Sequence, residues 1–234
     1  MYVSGSSRMA HGGRSEPGLS ICVLGHSYVA RVVAHVRQYR LLSPDDCFTV
    51  QGRVVRVQES CQGGASVIPG RSPTSAFFLA REAVGRRPMP VVLFCHIGEC
   101  DIAGRDGRAS LSPDLIVRHI VDLVWYLLSA GVRYVVVGQL LVWPTQRHRD
   151  AVQMVNYLLV DAVAGLPQDC VMYWRHRGFW NGNRDLFHRD GVHLSREGCQ
   201  RYWQSVREAV TICIRRSLNP TPVLQPAMRQ RRRR

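Results

Sequence analysis

From Leu19 onward, short runs rich in Val, Ile and aromatic residues alternate with longer stretches of helical periodicity, and this rhythm admits few folds. Strands are read over residues 19–24, 48–57, 91–97, 134–140 and 170–174. Between them the spacing predicts helices over 28–39, 74–84, 112–130, 148–164 and 196–217. The clearest is 112–130, where Leu115, Ile116, Ile120, Leu123, Val124, Leu127 and Leu128 share one face. Ser112-Pro113-Asp114 is its start signal and Gly131 its stop. Strands separated by helices pair in parallel, so the expectation is an α/β/α sandwich in three layers around a five-stranded, mostly parallel sheet.

A chain of 234 residues supports one sizeable core. The expected organisation is a disordered segment over 1–17, one domain over 18–218 and a basic Pro/Arg-rich tail over 219–234. No apolar run reaches membrane-spanning length, because Asp122 and Arg133 interrupt the longest candidates. The start of the chain lacks an apolar signal core, so neither a membrane span nor standard secretion is expected. Cys22, Cys95, Cys170 and Cys213 lie inside apolar runs, so the eight cysteines read as thiols in a reducing compartment. The expected location is cytoplasmic, or nuclear if the tail serves as an import signal.

The net charge is +14, and all 31 Lys and Arg positions are arginine. Such a surface attracts polyanions. Part of the charge sits in Arg229 and Arg231 to Arg234, behind Pro220-Thr221-Pro222, which makes nucleic acid a candidate partner of the tail. A solvated end with no dedicated partner explains the same run equally well.

In open parallel sheets, ligands bind where loops leave the carboxyl ends of the strands. The first such loop is Gly25-His26-Ser27, where a serine at a helix start meets unpaired backbone N–H groups that stabilise negative charge. Ser is also a favoured N-cap, a purely structural explanation for the same residue. The last such loop is Asp190-Gly191-Val192-His193, whose spacing sets the carboxylate against one imidazole nitrogen and leaves the other for a serine. Alone, it is also an ordinary glycine turn.

Together these loops resemble the SGNH (GDSL-like) hydrolases, in which the nucleophilic serine follows the first strand and Asp-x-x-His precedes the last helix. The likeness spans residues 19–217 and includes a middle block, His96-Ile97-Gly98-Glu99-Cys100-Asp101, where the family carries Gly-x-Asn-Asp. A further block reads Ser60-Cys61-Gln62-Gly63-Gly64-Ala65-Ser66. The resemblance implies the flavodoxin-like SGNH fold and a serine esterase acting on a small-molecule, glycan-borne or lipid-borne acyl ester. Ser27 would attack the acyl carbonyl, His193 would carry its proton to the leaving group, and Asp190 would hold the imidazole tautomer. The oxyanion would be bound by the N–H of Ser27, by the Cys61, Gly63 and Gly64 segment, and at the position of Cys100. No metal or organic cofactor is implied.

The chain departs from the pattern at Cys100, where the family has an oxyanion-binding asparagine, and at Cys61, where it has glycine. His26 replaces the Asp of the Gly-Asp-Ser opening. A thiol is a weak donor, so the change at Cys100 is expected to slow the reaction. SGNH-like domains with Gly-His-Ser and Asp-Gly-Val-His also resemble parts of animal retroelement-encoded proteins. That likeness implies a second reading, a catalytically degenerate module with a basic nucleic-acid surface. Zinc binding by Cys95, His96, Cys100, His188 and His193 is disfavoured, because strand alternation sends Cys95 and His96 to opposite faces. Trp143, Tyr173, Trp174, Phe179 and Trp180 read mainly as core or loop anchors, with some able to line a cleft.

Overall fold

The structure is a computed structural model describing residues 18–103, 111–143, 148–179 and 183–219. The segment 1–17, the tail from 220 onward, and Trp180, Asn181 and Gly182 lie outside the described residues. The described strands are β1 Leu19–Gly25, β2 Cys47–Val50, β3 Arg53–Cys61, β4 Val92–His96, β5 Tyr134–Gly138 and β6 Val171–Trp174. The helices are α1 Ser27–Gln38, α2 Ala76–Gly85, α3 Glu99–Ala103, α4 Pro113–Ser129, α5 Arg149–Ala164 and α6 Arg196–Leu218.

The sheet has six strands in the order β2-β3-β1-β4-β5-β6, all parallel except β2. The expected strand over 48–57 is in fact a hairpin, with Val50 opposite Arg53. Its two-residue turn places Gln51 at φ 49° and Gly52 at φ 76°, the paired positive angles of a type I′ turn. Gln is an unusual first residue for that turn, so the break was hidden within a β-rich run. The short α3 was also unread, because five residues carry no helical period.

Alternation along β1 sorts the core into two layers. Ile21 and Val23 join α1 and α6 on one face, whereas Cys22 and Leu24 join α2, α4 and α5 on the other. Helix α4 begins as its sequence signals, Ser112 capping the Leu115 N–H and Pro113 taking the first turn. From β1 the chain order sends β3 to one side and β4 to the other, so the crevice between the carboxyl ends of β1 and β4 is the topological switch point.

Candidate active site

Gly25 ends β1 and Ser27 opens α1, so the single residue His26 turns the chain. A Cβ on Gly25 would run into the His96 carbonyl oxygen and the Val29 side chain, and the close approach of β4 and α1 thus requires glycine. His26 is the N-cap, with no capping bond from its ring, and Ser27 lies one position later. The capping explanation for Ser27 therefore falls away. Its oxygen lies 3.5 Å from His26 Nδ1, and no hydrogen bond joins it to His193 among the described residues.

The Asp190-Gly191-Val192-His193 loop hangs from the start of α6. Ser195 donates through its hydroxyl to the Asp185 carbonyl at 2.7 Å and through its N–H to the Leu186 carbonyl at 3.0 Å, while also capping α6. Gly198 gives the Leu186 carbonyl room against the helix, where any Cβ would collide with it. Within the loop, Asp190 Oδ2 lies 2.7 Å from His193 Nδ1. Asp190 Oδ1 accepts from the N–H groups of Val192 and His193 at 2.9 and 2.8 Å. Partial burial pushes the Asp190 carboxyl up, but the His193 ring and these two N–H donors outweigh it and hold the group well below the usual carboxylate range. The charged Asp190 fixes the His193 proton on Nδ1 and leaves Nε2 as the acceptor. Across the crevice, the His193 ring meets the Tyr28 ring edge-on, with centroids 6.4 Å apart.

Cys61 ends β3 directly beside Gly25. Gln62 to Ala65 form a turn closed by Ala65 N–H on the Gln62 carbonyl at 3.1 Å, with Gly64 at φ 75°. The Gln62 N–H donates to the Gly25 carbonyl at 3.2 Å, which binds this turn to the end of β1. The Cys61 sulfur lies 3.8 Å from Glu59 Oε2, and burial pushes its thiol up to about 11. Cys100 sits half-buried in α3, at the end of β4. The fold thus gathers Ser27, Cys61, Gly63, Gly64 and Cys100 on loops after three adjacent strands, β1, β3 and β4.

Two buried carboxylates in α3 fasten these loops, and the sequence reading assigned a role to neither. Glu99, with 0% exposure, faces His26 Nε2 through Oε2 at 2.8 Å and His96 Nε2 through Oε1 at 2.6 Å. Leu141, after β5, donates its N–H to Oε1 at 3.0 Å. Asp101, also fully buried, accepts from the Ser66 hydroxyl and from the Val67 N–H at 2.9 Å, with Arg71 Nε 3.8 Å away. Burial pushes Glu99 up, yet His96 and His26 outweigh it and hold its carboxyl well below the usual range. For Asp101 burial prevails and the carboxyl is raised. Glu99 therefore joins the end of β4 to the loops after β1 and β5, and Asp101 joins α3 to the segment after β3.

No family model and no curated protein matches the chain. Solved structures do. A putative acylhydrolase from Bacteroides fragilis superimposes with a TM-score of 0.59 at 15% identity, covering 85% of this chain and 88% of that one. TesA gives 0.58 at 14%, covering 83% and 99%. A carbohydrate esterase of family 3 from Talaromyces cellulolyticus gives 0.57 at 17%, covering 84% and 99%. The chain has the SGNH hydrolase fold.

Within that SGNH fold, a signal for the Glu99 cluster was present in the sequence. His26 stands where the pattern has an acid, and an acid, Glu99, stands three residues before the buried Ile102. The pair is a buried acid and base brought together from residues 73 apart. The donor atoms of His26, His96 and Glu99 also lie within 4.8 Å of one another, a set able to take a divalent ion. Each ring nitrogen nevertheless faces its own carboxylate oxygen at hydrogen-bond distance, which accounts for the group without a metal. Cys95 belongs to the opposite core layer, and burial pushes its thiol up to about 12, so it does not converge with His96.

Of the aromatic residues, Trp143 and Phe179 are buried. Trp143 donates to the Tyr28 hydroxyl, and Tyr173 hydrogen-bonds Asn156. Trp174 instead borders an open groove of about 580 Å³ along α6, with Arg177, Arg207 and Arg215. Among the described residues no helix is long and apolar enough to cross a membrane.

Proposed function

We propose that this SGNH-fold chain is a serine esterase that hydrolyses small-molecule, glycan-borne or lipid-borne acyl esters. Ser27 is the nucleophile, His193 the general base and acid, and Asp190 the residue that orients the imidazole. The observation carrying the reading is the 2.7 Å Asp190–His193 pair, whose imidazole meets the ring of Tyr28, the residue after the helix-start Ser27. Ser27 Oγ attacks the acyl carbonyl as its proton passes to His193 Nε2. The proton then goes to the leaving alcohol, and water repeats the cycle in reverse to release the acid. The Ser27 N–H and the turn at Gly63 and Gly64 supply oxyanion donors. With a thiol at Cys100 in place of an amide, the site lacks one strong donor, and the rate is correspondingly low. The SGNH neighbours described as esterases and acylhydrolases support the reaction class.

The test is labelling of the purified chain by a fluorophosphonate. Labelling of the wild type that disappears in Ser27→Ala and His193→Ala is the expected result. A folded wild type that stays unlabelled refutes the reading. Such an outcome would favour the second one, a degenerate module binding single-stranded nucleic acid through its arginine surface. The groove joining Trp174 to Arg177, Arg207 and Arg215 offers that module both an aromatic face and phosphate partners.

A further inference from the structure

Two imidazole–carboxylate pairs lie on the loops at the carboxyl end of the sheet, where Ser27 opens α1. One is His193 with Asp190. The other is His26 with Glu99, and His26 Nδ1 is 3.5 Å from Ser27 Oγ. His26 is 2% exposed and, although it is the N-cap of α1, its ring makes no capping bond. Its Nε2 is committed at 2.8 Å to Glu99.

An ionised carboxylate can only accept hydrogen bonds, so every group facing Glu99 must donate. Leu141 N–H does so by necessity, and the two facing imidazole nitrogens must therefore carry hydrogen at Nε2. In neutral His26 this leaves Nδ1 with its lone pair, aimed at the Ser27 hydroxyl. The hydroxyl is then the donor of this pair.

We propose that His26 is a positioning residue for the nucleophile: locked by Glu99 as the Nε2–H tautomer, it accepts the Ser27 hydroxyl hydrogen at Nδ1 and sets the serine rotamer in the resting site. The hydroxyl passes to His193 when substrate fills the crevice. This inference rests on Ser27 being the nucleophile proposed above. It also accounts for the absence of a resting bond between Ser27 and His193 among the described residues, since catalytic hydrogen bonds commonly tighten only in the substrate complex.

The contact is read directly by nitrogen NMR of the full chain labelled with ¹⁵N-histidine, the His26 signals being assigned from His26→Gln. The expected result is an Nε2–H tautomer at His26, with an Nδ1 signal that moves in Ser27→Ala while that of His96 stays in place. A His26 ring protonated at Nδ1, an Nδ1 signal indifferent to Ser27→Ala, or a divalent ion retained on the Nε2 atoms would each overturn the proposal. Ser27 lies outside the buried cluster, so Ser27→Ala is expected to fold even if His26→Gln does not. Kinetically, His26→Gln should lower kcat on the order of 10²-fold with KM nearly unchanged, as expected for a misplaced nucleophile. An inactive wild type with the NMR signature retains the contact but refutes the esterase reading and, with it, the role of His26 at a nucleophile. An active wild type whose His26 ignores Ser27→Ala overturns this inference alone.

Discussion

The two imidazole–carboxylate pairs at the crevice are chemically alike and physically opposite. His26 and Glu99 are 2% and 0% exposed, whereas His193 and Asp190 are 24% and 41% exposed. A carboxylate taken out of water requires that nearly every lone pair find a donor, and Glu99 finds three, at the end of β4 and on the loops after β1 and β5. Asp190 is served mostly by its own loop, from Val192 and His193, with water to supply the rest. Burial therefore makes one pair an anchor of the fold, and exposure leaves the other able to meet a substrate and exchange protons.

This contrast is broken most severely at the nucleophile. Ser27→Ala should reduce ester hydrolysis by about 10⁶-fold while shifting stability by less than ~0.5 kcal/mol, checked by kcat and thermal melting on one preparation. Next comes Asp190→Asn, which preserves the shape of the loop but not the tautomer. It should cost about 10⁴-fold in kcat, with a fall in melting temperature smaller than that of Glu99→Leu because Asp190 is 41% exposed.

Glu99→Leu should invert that pattern. Removing the carboxylate strands His26, His96 and the Leu141 N–H, and the loss should be about 3–5 kcal/mol in urea unfolding. A Glu99→Leu variant as stable as the wild type would show that the cluster is no anchor. Cys100→Asn restores an amide donor near the oxyanion and should raise kcat by about 10²-fold, an effect readable only if the chain is an esterase.

The smallest effect is on acid stability. The carboxyls of Glu99 and Asp190 are both held below their ordinary values of 4.5 and 3.8, so the folded state binds fewer protons than the unfolded chain as pH falls into that range. Their stabilisation is full above that range and declines as pH drops through it toward the folded values. Asp101 is shifted the other way and opposes this trend slightly. Melting followed from neutral pH to below pH 4 should show the decline, and Glu99→Gln should flatten it.

Much of this was legible in the residues themselves. The alternating patterns located β1, β4, β5 and β6 of the parallel sheet, and Ser112, Pro113 and Gly131 marked the ends of α4 because capping is a local matter of a few backbone groups. The hairpin at Gln51-Gly52 escaped because its turn angles are not encoded by the usual residue pair. Gly25-His26-Ser27 and Asp190-Gly191-Val192-His193 could be singled out because loop position and residue type follow from chain order.

Sequence by itself therefore determined the layered architecture and which loops lie at the carboxyl end of the sheet, since periodicity and turn chemistry act over neighbouring residues. Only the tertiary structure decided that His26 and Glu99, 73 residues apart, share a hydrogen bond, and that His26 Nδ1 lies 3.5 Å from Ser27 Oγ. Such partnerships depend on the close approach of β1, β4 and α3 in the dry interior, where each buried charge must find its donors wherever the packed fold delivers them.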